Sequence, residues 1–66
     1  MNVLETQRWH GEFPKECRAK SVESLRYIIA DCQAAIAANP TGEKAGHYSD
    51  TISYCGMELR RRGLTA

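Results

Sequence analysis

His10, Cys17, Cys32, His47 and Cys55 are the side chains best suited to chemistry. Imidazole and thiolate bind soft metals, and zinc sites draw them from C-x-x-C or H-x-x-x-H pairs that put two ligands on one turn. None of the five forms such a pair. Cys32 and Cys55 fall on apolar helical stripes, where a thiol acts as a small hydrophobe. Three cysteines are an odd number without framework spacing, which argues against disulfides. Folded as a hairpin, Cys55 would stand level with Leu25, roughly 9 Å along the axis from Cys32, too far for a bridge between them. The pattern predicts no metal and no cofactor.

The run His47-Tyr48-Ser49-Asp50 holds a base, a hydroxyl and a carboxylate. On a helix His47 can meet Asp50 or Thr51, while Ser49 points to another face. A nucleophile needs its base within hydrogen-bond reach and that base oriented by a third group. This segment does not supply that geometry, so no catalytic residue is assigned and the chain is not expected to be an enzyme.

Arginine and lysine offer a different chemistry. Lys15, Arg18, Lys20, Arg26, Arg60, Arg61 and Arg62 gather toward one end of the expected fold against Glu16, Glu23 and Glu58. The rest of the chain carries Arg8 and Lys44 against Glu5, Glu12, Asp31, Glu43 and Asp50. Formal net charge is only +1, so bulk electrostatics do not call for nucleic acid or acidic lipid. One pole is nevertheless basic and the other acidic. Arg18, Lys20, Arg60, Arg61 and Arg62 are the candidate contacts for an anion or an acidic partner, since arginine suits bidentate phosphate and carboxylate contacts. The simpler reading of the same residues is helix capping and solubility.

The elements that must position these groups are helices. Val22, Leu25, Ile29, Cys32 and Ile36 are spaced 3, 4, 3, 4 and form one stripe, widened by Ile28 and Ala35. Ser21 suits an N-cap, and Asn39-Pro40 stops the helix because the residue before proline is pushed out of the α region. After Thr41-Gly42 the pattern resumes as Ala45, Tyr48, Ile52, Cys55 and Leu59, with the same spacing. Gly63 fits the left-handed position of a Schellman cap, with Leu64 reaching back to Leu59. The expected fold is all-α: a helix over 21–38, a turn over 39–42 and a helix over 43–62, antiparallel, preceded by an arm over 1–20. Gly46 and Gly56 read either as close-approach points or as merely tolerated.

In the arm, Asn2 with Glu5 resembles a short capped turn, and Gly11 and Pro14 break the segment. A start of the first helix at Pro14 is the other possibility. Trp9 and Phe13 are too large to leave in water and should pack over the hairpin or onto a second subunit. At 66 residues the chain falls in the size range where one core is marginal and a disulfide, a metal or a second copy usually helps. With the first two set aside, a homodimer closing a four-helix bundle is expected. Its core and interface would be Trp9, Phe13, Val22, Leu25, Ile29, Cys32, Ile36, Tyr48, Ile52, Cys55 and Leu59.

No apolar leader core lies in Met1 to Trp9, and Tyr27 to Ala38, interrupted by Asp31 and Gln33, is short of the roughly 20 residues a membrane span needs. The runs Ser24-Leu25-Arg26-Tyr27-Ile28-Ile29-Ala30-Asp31, Ala34-Ala35-Ile36-Ala37-Ala38-Asn39-Pro40, Lys44-Ala45-Gly46-His47-Tyr48 and Met57-Glu58-Leu59-Arg60-Arg61-Arg62 resemble small early proteins of lambdoid bacteriophages, from the short reading frames of the exo–xis region. The resemblance covers about two-thirds of the chain. It implies an all-helical dimer in the host cytoplasm that influences phage development, such as the choice between lysis and lysogeny, by contact with a host or phage protein. It implies no catalytic residues. In layout alone, a short N-terminal element and two antiparallel helices are also similar to phage sponges that sequester cyclic oligonucleotides. That likeness keeps open an oligomeric binder of a small anionic ligand. Helices this nearly antiparallel argue against a helix-turn-helix DNA reader.

Overall fold

The computed structural model describes residues 3–65, and within them the chain is all-helical. Three helices follow one another: α1 (Val3–Ala19), α2 (Val22–Ala38) and α3 (Ala45–Arg61). Among the described residues no helix is long and apolar enough to cross a membrane.

The first helix is the main departure from expectation. The segment read as an arm broken at Gly11 and Pro14 is a 17-residue helix, with Pro14 inside it. Pro14 has no N–H to give the His10 carbonyl, which normally weakens a helix interior. Packing offsets the loss. Trp9, Phe13 and Cys17 recur every fourth residue and lay one stripe against the core. A helix continuous from Pro14 into the next element does not form either. The chain breaks at Lys20 and restarts at Ser21, whose Oγ accepts from the Ser24 N–H at 3.1 Å as an N-cap. The capped turn expected at Asn2 falls outside the described residues.

The second helix ends at Ala38, as Asn39-Pro40 demands. The third begins at Ala45, two residues later than the sequence suggests. The Ala45 N–H bonds to the Gly42 carbonyl at 3.1 Å in a tight turn, and Lys44 gives no side-chain cap. A Cβ at Gly42 would press on the side-chain amide of Asn39, which would have to shift to admit it. At the far end Gly63 adopts φ 83°, the Gly63 N–H bonds to the Arg60 carbonyl and the Leu64 N–H to the Leu59 carbonyl, both at 2.9 Å. That is the Schellman arrangement.

Packing centres on α3. It lies along α2 and also carries α1, while α1 and α2 barely meet. The Arg26 guanidinium, early in α2, donates to the Thr65 carbonyl beyond α3, so those two helices run in opposite senses. Phe13, Cys17, Leu25, Ile29, Cys55 and Leu59 form the buried core, with Trp9, Val22, Ile28, Ile52 and Tyr54 packed on it. Cys32 is buried too, whereas Ile36 and Tyr48 are half-buried and lie outside that cluster. Trp9 and Phe13 pack within their own chain, Trp9 against His47 and Phe13 against Tyr54, and Trp9 stays half-buried. Gly46 is exposed, and a Cβ there would touch nothing in its own chain, so it is no close-approach point within the fold. Gly56 is buried.

Candidate functional site

Two constructions hold α1 on α3, and the larger of the two opens into a cleft. Trp9 is its hub. Phe13 stacks on the Trp9 ring with centroids 4.9 Å apart and 15° between planes, His47 tilts against it at 4.5 Å, and His10 and Tyr54 meet its edges at 5.0 and 5.6 Å. Such ring pairs add a little beyond the area they bury. His47 and His10, which the sequence offered as separate possible ligands, thus share one aromatic layer.

Beside this layer lies an open cleft of about 720 Å³, lined by Thr6, Trp9, His10, Glu43, Lys44, His47, Tyr48 and Asp50. It lies between α1 and the start of α3, at the pole the charge pattern marks as acidic. Its rim mixes one lysine with two carboxylates. His10 gives the cleft its closest approach to a catalytic arrangement. Nδ1 of His10 lies 2.8 Å from the Tyr54 hydroxyl, and Nε2 lies 3.9 Å from a carboxylate oxygen of Asp50. The first is a hydrogen bond and the second is too long to be one. Asp50 is half exposed and does not fix the imidazole. Ser49 is exposed, and the Thr51 hydroxyl donates to the His47 backbone carbonyl, not to its ring. Among the described residues no group of three or more histidines, cysteines or acids is placed to hold a metal ion.

The basic end is built differently from the open patch the charge count suggests. Glu58 is buried, with both carboxylate oxygens taken. Arg61 donates through Nε at 2.9 Å and Nη2 at 2.7 Å, and Arg62 donates through Nε at 2.7 Å. These bonds hold the Glu58 carboxyl at about 2, down from an ordinary 4.5. The second arm of Arg62 crosses to α1. Its Nη2 donates to the carbonyls of Cys17 at 3.1 Å, Arg18 at 3.2 Å and Lys20 at 2.7 Å. A helix leaves its last carbonyls without partners, and a cation there also meets the negative end of the dipole. Arg62 therefore caps α1 from the end of α3. It is committed within the chain and is not a free contact for an anion. Arg61 is exposed but paired, while Arg18 and Arg60 keep exposed side chains and Lys20 is half-buried.

The sequence reading missed Cys17, Thr51 and Glu58 as buried positions, and Tyr54 as the partner of His10. Comparison of the chain with protein-family models, curated proteins and solved structures returned no match.

Proposed function

We propose that the chain is a non-enzymatic phage accessory protein that acts by protein–protein interaction as a homo-oligomer, and that it influences phage development. The phage assignment rests on the sequence resemblance. The interaction reading rests on surface area. The chain keeps 4776 Å² accessible at 7.4 kDa, whereas a folded monomer of that mass typically keeps about 4200 Å². The surplus of roughly 600 Å² is close to one partner's share of a standard interface. The slab measures 32 × 28 × 14 Å, and Tyr27 and Met57 stand 73% and 52% exposed on it. A second copy laid on such a slab would add the layer that single helical domains normally contain. Because α1 is a helix in its own right, a dimer would assemble six helices and not the four of the simple hairpin scheme.

The cleft supports a protein partner over a phosphate-bearing ligand. Glu43 and Asp50 flank Lys44 there, and like charge opposes a phosphate while a mixed rim suits a peptide surface. At the other pole Arg62 is already spent on α1. Sedimentation at micromolar concentration tests the oligomer: a dimer or larger species is expected, and a stable folded monomer would overturn the reading. Retention of a host or phage protein by the wild-type chain, and its loss on Lys44→Glu, would support the cleft as the contact.

A further inference from the structure

The cleft does not end at its own rim. A second hollow of about 390 Å³, lined in part by Ala35, Asn39 and Ala45, shares Glu43, Lys44 and Tyr48 with it. Because α1 lies on α3 and hardly on α2, the space between them stays open. The two hollows form one trough from Trp9 and His10 of α1, over the start of α3, to the end of α2. We infer that this trough receives an arginine side chain on an exposed segment of a partner protein, held by the carboxylates of Asp50 and Glu43 against the Tyr48 ring. The inference rests on the reading of the cleft as a protein contact and adds the chemistry of the partner.

Three observations carry it. The first is unspent charge. At the opposite pole the Glu58 carboxylate is already bonded by Arg61 and Arg62. Glu43 and Asp50 accept no hydrogen bond from any described residue, and Asp50 comes only within 3.9 Å of His10. Both oxygens of Asp50 are therefore open to the fork of a guanidinium. The second is sign. This pole carries Glu5, Glu12, Asp31, Glu43 and Asp50 against Arg8 and Lys44, so its field attracts a cation and repels a phosphate. The third is the wall. Trp9 is packed against Phe13 and His47, whereas among the described residues Tyr48 meets one ring, that of His47, tilted at 6.1 Å. A guanidinium stacks on such a ring while it pairs with a carboxylate, and an ammonium lacks that planar geometry.

The shape selects a chain over a small free cation. Small ligands take sites that bury most of their surface, and this trough is open along its length. Lys44, on the same rim, is left to meet an acid beside the arginine.

The test titrates the full chain with a blocked pentapeptide that carries one arginine between glycines. NMR follows the Trp9 indole and Tyr48 ring signals. Both should shift saturably by about 10 mM peptide. Citrulline in place of the arginine keeps the shape without the charge and should weaken binding about tenfold, and lysine should bind more weakly than arginine. Asp50→Asn, at a half-exposed position, should also weaken the arginine peptide about tenfold. Asp31→Asn, at an exposed carboxylate of the same pole outside the trough, should leave binding unchanged. Absence of a saturable shift, or citrulline binding as tightly as arginine, would overturn the proposal. So would Asp31→Asn being as damaging as Asp50→Asn, or inorganic phosphate moving the same two signals. Sedimentation of the same samples reads the oligomer separately. A dimer that ignores the arginine peptide sinks this inference alone, and a monomer that binds it sinks only the oligomer.

Discussion

The guanidinium of Arg62 and the backbone carbonyl of Lys20 meet at 2.7 Å across the joint between α3 and α1. The same guanidinium holds the buried carboxylate of Glu58 at 2.7 Å. One side chain thus closes two deficits, an uncapped helix end and a buried charge. Replacing Arg62 with alanine should cost about 2 kcal/mol of stability, the scale of bonds to a charged group. Arg62→Lys should recover only part of it, because an ammonium lacks the planar fork that reaches Glu58 and α1 together. Urea denaturation of the three proteins checks the order.

Glu58 makes this joint sensitive to acid. Its folded value, about 2, lies below an ordinary 4.5. A group depressed on folding contributes stability that is present above its unfolded value and lost as pH falls through the folded one. Unfolding free energy should therefore drop between about pH 5 and pH 2 more steeply for the wild type than for Glu58→Gln, which cannot ionise. Parallel acid limbs for the two proteins would show that the pair contributes nothing.

The second and third helices were legible because each signal agreed with the next. Period, N-cap at Ser21, stop at Asn39-Pro40 and the glycine after Arg62 all pointed to the same helices. The first helix was hidden by Gly11 and Pro14, which are local breakers, and by a stripe at Trp9, Phe13 and Cys17 that is helical but not heptad. Tertiary packing outweighed local preference there. The candidate site was less legible. His10 and His47 were visible as reactive types, but their meeting at Trp9 depends on where α1 lies. Arg62 read as one of three equivalent cations, and only the position of the α1 carbonyls separates it from Arg60.

Two glycines should respond in opposite directions to the same change. Gly11 lies inside α1, and a methyl group there would touch nothing. Gly11→Ala should stabilise the chain by up to about 1 kcal/mol through helix propensity. Gly63 sits at φ +83°, where a Cβ is strained, so Gly63→Ala should destabilise by about 1 kcal/mol. Thermal melts followed by circular dichroism would show the split.

Tyr54 offers a way to separate the hydrogen bond from the aromatic layer. Its hydroxyl meets Nδ1 of His10 at 2.8 Å, while its ring packs edge-on against Trp9 and Phe13. Tyr54→Phe keeps the ring and should cost about 1 kcal/mol, with little change in the emission of Trp9. Tyr54→Ala removes the ring as well. Cavity formation at a half-buried aromatic should cost more, about 3 kcal/mol, and should loosen the hold of α3 on α1. Trp9 is the one tryptophan in the chain, so its fluorescence reports that docking directly. In Tyr54→Ala its emission should move to longer wavelength while most of the helical signal remains, because α2 and α3 keep their own seam. Equal loss of both signals would mean that α1 and the helix pair unfold as one unit.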